Sequence, residues 1–222
     1  MNSYNTEKSL YRVGFMAAFL AALALLTGGV ALAISGSAAT ANVDQLLTLA
    51  DQNRLILTIG YIAILLISLF DIFTVPGLFA ALRRDSHTLV VIAAITALVG
   101  DLLGLTGGLI QTALLPLSKR LIGASSAISY ALLANAEMVV ILESIFSTVG
   151  FLLVGVSFIC FGLAILRGTF GKWIGWVALA AGVFSILGQI PLLAAVFMLA
   201  NVAYLLWYIG IATRFNQLAT KA

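Results

Sequence analysis

Two carboxylates, Asp71 and Asp101, stand inside long apolar segments that are neighbours in the sequence, with no lysine, arginine or histidine at their depth. A charge taken into hydrocarbon without a partner is costly, so acids in such places are rare and call for a chemical reason. Two chemistries suit the pair directly. Each acid can stay neutral because its charged form is desolvated, and donate its proton to a backbone carbonyl or to Ser68, Thr74 or Thr112. Alternatively the two acids, with Glu143 from a later segment, line a polar core site that binds or moves a proton, a cation or a small amphipathic ligand.

A third chemistry is an aspartyl dyad that shares one proton and activates water for intramembrane proteolysis. Gly100-Asp101 matches the second half of the GxGD motif of presenilin-like and prepilin peptidases. Leu98 stands where the first glycine belongs, and Leu114-Leu115-Pro116-Leu117 does not supply the Pro-Ala-Leu motif of the presenilin-like group. Glu143 lies beside Ser144, Ser147 and Thr148, and Lys119 or Arg120 is within reach as a counter-charge. Structural pairing and a ligand-facing role both remain open for it.

These acids need elements that hold them at one height. With 63% hydrophobic and 9% charged residues and a mean hydropathy of +1.17, the chain cannot clothe a water-exposed globular surface, and it reads as an all-α integral membrane protein. A spanning helix needs roughly 20 apolar residues, and six segments meet or approach that. They are Val13–Ile34, Leu55–Leu82, Leu89–Leu117, Met138–Leu166, Trp173–Ile190 and Leu192–Thr213, in one domain over residues 1–222. At about 1.5 Å per residue, Asp71 is roughly 16 Å from Leu82 and Asp101 roughly 18 Å from Leu89, so both fall near the bilayer midplane. The short Arg83–Thr88 turn predicts antiparallel packing of their helices. Gly100, Gly104 and Gly108 form a small-xxx-small stripe that permits close helix approach, and Asp101 shares roughly that face.

Basic residues set the orientation. With both termini cytoplasmic, Lys8, Arg12, Arg83, Arg84, Arg167, Lys172, Arg214 and Lys221 are inside against Arg54, Lys119 and Arg120 outside, as the positive-inside rule requires. Tyr11, Trp173, Trp176, Trp207 and Tyr208 are then expected at the inner interface, and Tyr61 and Tyr130 toward the outer one. Ala31-Leu32-Ala33 resembles a signal-peptide cleavage site, but the apolar stretch before it is longer than the usual roughly 7–15 residues, so a retained helix is expected. In the first outer connection, Ser35–Arg54, Asn42 and Gln45 have capping-box spacing, which predicts a short helix lying on the outer surface or extending the second span. The second, Ser118–Glu137, predicts an interfacial helix or a kinked extension of the fourth span.

The bilayer is the partner that composition dictates. A small ligand or ion, a membrane-protein partner, or a second copy of the chain packing on the glycines stay open. Basic residues end apolar runs instead of forming a patch, so nucleic acid is not expected. Cys160 alone supports neither an intrachain disulfide nor a cysteine-built metal site, and no local motif points to a cofactor, metal hydrolysis, nucleotide use or serine hydrolysis. An alternative of another class is a non-catalytic accessory or assembly protein whose glycine stripes meet a partner helix.

Arg12-Val13-Gly14 opens the first helix, Leu69-Phe70-Asp71 leads to Leu78-Phe79-Ala80-Ala81-Leu82-Arg83, and Phe161-Gly162-Leu163-Ala164-Ile165-Leu166-Arg167 precedes Gly171-Lys172-Trp173-Ile174-Gly175-Trp176. With these points the chain resembles a bacterial family of small six-helix membrane proteins catalogued as domain of unknown function forty-three eighty-six. The resemblance covers nearly the whole chain and implies six helices and a bacterial plasma membrane. It implies no activity, ligand or catalytic residue.

Overall fold

A computed structural model of the chain describes residues 3–36, 42–122, 124–168, 170–193 and 195–221. The helices are α1 (Ser3–Ser35), α2 (Val43–Gln52), α3 (Arg54–Leu82), α4 (His87–Gln111), α5 (Leu114–Leu121), α6 (Ser126–Arg167), α7 (Lys172–Leu187) and α8 (Val196–Lys221), with a 3-10 turn at Pro191–Leu193 before α8. The chain is a multi-span helical membrane bundle. Five stretches are long and apolar enough to cross a bilayer, namely α1, α3, α4 continued through α5, α6 and α8.

Three expected boundaries need correction. The fifth segment, Trp173–Ile190, is a helix of only 16 residues, because Gly188 and Gln189 turn the chain before Pro191. The third, Leu89–Leu117, stops at Gln111. Pro116 has no N–H to give the Thr112 carbonyl, and the chain restarts as α5 with Leu115 N and Leu117 N bonded to Thr112 O and Ala113 O. The fourth, Met138–Leu166, is instead a continuous α6 of 42 residues, about 63 Å long and twice a hydrocarbon core. The second outer connection is therefore mostly helix, apart from residue 123, which lies outside the described residues. In the first outer connection residues 37–41 lie outside them too, and α2 forms as expected with Asn42 as N-cap, its Oδ1 accepting from Asp44 N at 3.0 Å. Residue 194 of the sixth segment is likewise outside the description.

Six helices close into a ring, in which α1 packs on α3, α3 on α4, α4 on α6, α6 on α7, α7 on α8, and α8 returns to α1. Small residues let the axes approach. Ala18 and Ala21 of α1 are fully buried, and α6 and α7 meet glycine to glycine, at Gly155 with Gly182 and at Gly162 with Gly175. Both pairs are spaced by seven residues on antiparallel helices, so the two contacts repeat on the same faces two turns apart. Within lipid such backbone proximity and dispersion, rather than expulsion of water, hold helices together.

The ring has two distinguishable ends. The basic end carries the Arg83–Ser86 turn and the link from α6 to α7. There Glu7 pairs with Arg83 at 3.3 Å and Arg84 at 3.4 Å. The cap end carries α2 and α5, which pack with the projecting start of α6 around Leu47, Leu114 and Ala136.

Candidate functional site

Asp71 on α3 and Asp101 on α4 line one cavity near the middle of the ring, with Ser157 of α6 and Trp207 of α8. Asp101 is 4% exposed, whereas Asp71 keeps intermediate exposure although it lies deep in the bundle. The cavity holds about 10 Å³, roughly the space required by the centre of one water molecule. No lysine, arginine or histidine is among its lining residues.

Asp71 takes its hydrogen bond from α8. The Tyr208 hydroxyl donates to Asp71 Oδ2 at 2.5 Å, joining helices 137 residues apart in sequence. The partners expected from the sequence are otherwise engaged. Thr74 Oγ1 donates to Phe70 O at 3.0 Å and Thr112 Oγ1 to Leu109 O at 2.7 Å, each within its own helix. Ser157 does the same with Val154 O at 2.8 Å. One further polar atom beside the acids is without a hydrogen-bond partner among the described residues, Trp207 Nε1. A buried donor left unpaired costs about 1–3 kcal/mol, so its presence beside two acids marks a polar site inside an otherwise apolar interior.

Trp207 and Tyr208, expected at the inner interface, are each 2% exposed and packed in the core, where Phe158 and Trp207 rings are 4.5 Å apart. Tyr11 and Tyr61 are buried too, while Trp173, Trp176 and Tyr130 are exposed as interfacial residues should be. An interface needs an amphipathic ring at the helix surface, and the buried set Ala200, Ala203, Tyr204, Trp207, Tyr208, Ile211 and Phe215 repeats at helical spacing on the face of α8 turned to the ring. That periodicity was the available signal for the tyrosines.

Glu143 does not join the cavity. Its Oε1 accepts from Ser147 Oγ at 2.7 Å, one turn further along the same helix and toward the α4 interface, where Gly107 abuts Ser147. Among the described residues neither Lys119 nor Arg120 forms an ion pair with it; the ion pairs there are those of Glu7 with Arg83 and Arg84. The glycine stripe divides between two neighbours. A methyl group on Gly100 would meet Gly150 O at 2.9 Å on α6, and one on Gly108 would meet Leu65 Cδ2 at 2.9 Å on α3. Gly104 faces Ser68 Oγ of α3 at 3.1 Å. All three glycines are occupied by the chain's own helices.

The spans that carry this constellation are covered by one family model, described as Domain of unknown function (DUF4386), which matches residues 16–213. The chain belongs to this family. The DUF4386 match takes in Asp71, Asp101, Glu143, Tyr204, Trp207 and Tyr208, four of the ring helices whole and the greater part of α1 and α8. No curated protein and no solved structure matches the chain.

Proposed function

We propose that this DUF4386 chain binds and releases a proton at the paired carboxylates Asp71 and Asp101, as a small multi-pass protein of the bacterial plasma membrane. The reading rests on one observation above others: two acids from adjacent helices share a one-water cavity with a hydroxyl donor at hand and no cationic side chain lining it. A proton is the one cation whose binding to a carboxylate needs no further ligands and no added volume. Calcium takes six to eight oxygen ligands and magnesium about six, and an amphipathic molecule or a peptide strand exceeds such a space many times over. The dyad arrangement alone would suit an aspartyl protease, yet a substrate backbone has no place beside it.

Six crossings with both termini cytoplasmic fit this reading. The short α7 is flanked in the ring by α6 and α8 and antiparallel to α6 through its glycine pairs, and the 3-10 turn at Pro191–Leu193 lengthens the path. The packing of α1 on α3 and α8 supports its retention. The accessory-protein alternative loses the feature that motivated it, since Gly100, Gly104 and Gly108 already face α3 and α6.

Purified protein in liposomes tests the proposal. The pH-dependent infrared band of a protonated carboxyl group is expected in the parent and lost in both Asp71→Asn and Asp101→Asn. A band unchanged in both variants rules the carboxylate pair out.

A further inference from the structure

The surroundings of the acids differ on their two sides, and the difference gives the site a direction. Toward the basic end, the ring closes on Leu78, Phe161, Ile165, Ile211 and Phe215, each at most 2% exposed. These are large apolar side chains contributed by α3, α6 and α8; Leu78 and Phe161 also line the one-water cavity, and the hydroxyls of Thr74, Thr96 and Ser157 on this side each bond their own helix. A proton crossing that layer would have nothing to bind.

Toward the cap end the same helices present hydroxyls and amides. One turn along α8 from Tyr208 stands Tyr204, 6% exposed, whose hydroxyl lies beside Ser185 of α7. Ser185 Oγ donates to Phe151 O of α6 at 3.1 Å. One turn further out, Asn201 of α8 and Gln189 of α7 are only half-buried, and their amides bond Phe197 O and Ser185 O at 3.1 and 3.2 Å. On the opposite wall Ser68 of α3, beside Gly104 of α4, is half-buried as well.

We infer that the carboxylate pair exchanges its proton with the cap end of the bundle through Tyr208, Tyr204 and Ser185, and is sealed from the basic end by the apolar layer. The inference rests on the proton-binding reading and adds its sidedness. A proton on Asp71 passes to solvent as the hydroxyls of the ladder each accept one proton and release another, so no hydroxyl of the ladder changes its net charge over a full transfer and Asp71 is left as the carboxylate. The buried Tyr204 hydroxyl is the natural relay, because it is deep, stands one turn from Tyr208 on the same face of α8 and lies beside Ser185.

The test is hydrogen–deuterium exchange of the protonated carboxyl band in nanodiscs, timed by infrared spectroscopy after transfer to heavy water. Tyr204→Phe and Ser185→Ala are each expected to slow the exchange, Tyr204→Phe by roughly tenfold, about 1.4 kcal/mol of added barrier. Ile211→Val, in the apolar layer, is expected to leave the rate unchanged. If Tyr204→Phe does not fold, Ser185→Ala carries the test alone. Exchange at the parent rate in every folded ladder variant, or exchange altered by Ile211→Val, overturns the route. A carboxyl band that neither Asp71→Asn nor Asp101→Asn removes overturns the proton-binding reading instead.

Discussion

The half of the ring below the acids and the half above them draw on equally apolar helices, yet they pack differently. At the basic end, positions 74, 75, 77, 78, 80 and 82 of α3 are buried and glycine pairs hold α6 against α7. At the cap end α3 buries Leu57, Gly60, Tyr61 and Ala63, but nearer the acids residues 64–68 of α3 and 146–148 of α6 are only half-buried. One helix shows both conditions. In α6 the basic half buries Gly155, Ser157, Phe158, Phe161, Gly162, Ala164 and Ile165, whereas Ile128, Tyr130, Met138, Ile141 and Ile145 in its cap half are exposed. The lesson is that hydropathy sets which residues leave water, while side-chain size at the contacts sets how closely helices meet. Where backbones touch, interior volume vanishes; where hydroxyls and longer side chains hold the helices apart, a polar route fits.

Phe161→Ala in the tight half is expected to destabilise the bundle by about 3–5 kcal/mol, the cost of a large cavity that cannot collapse. Phe151→Ala in the looser half should cost clearly less, and unfolding in mixed micelles with increasing denaturing detergent compares the two. Equal losses would erase the distinction between the halves. Gly162→Ala comes next, since its new methyl meets Gly175 O at 2.9 Å and Leu179 Cγ at 3.0 Å, which predicts a loss of about 1–3 kcal/mol in the same assay. Gly104→Ala meets only the movable Ser68 hydroxyl at 3.1 Å and should stay within about 0.5 kcal/mol.

Tyr208→Phe removes the donor to Asp71 and should cost about 1–2 kcal/mol in that assay, while Asp71→Asn keeps an acceptor for Tyr208 and should cost less. The reverse order would show that the bond from α8 matters little. The smallest effect sharpens the comparison through access instead of stability. In a Cys160→Ala background, Ser68→Cys should react with a water-soluble maleimide and Ala93→Cys should not, Ala93 being fully buried at the basic end; mass spectrometry reads the outcome. Comparable labelling at both would mean that the basic end is as open as the cap end.

Much of this was legible in the residues. The start of α3 at Arg54 and its end at Leu82 fall within one residue of the apolar run from Leu55 to Leu82, because a long uninterrupted apolar segment has only one low-energy form in lipid. Asn42 as a helix cap was legible as well, being a local hydrogen bond between residues two apart. The break at Thr112–Ala113 and the short α7 were misjudged because hydropathy counts apolar residues and ignores a missing proline N–H or a turn-forming glycine. Glu143 was placed with the aspartates on residue type alone, and it bonds Ser147 on its own helix instead of lining their cavity.

Composition and spacing by themselves determined the solvent, the helical class, and the presence of two acids near the middle of adjoining apolar helices, since all three follow from transfer free energies and the 1.5 Å rise of a helix. Only the tertiary structure decided that α8 returns to α1 and closes the ring, that Tyr208 reaches Asp71 across it, and that the tyrosines of α8 face inward. The physical reason is that ring closure depends on which small residues meet across helices distant in sequence. No local pattern records that meeting.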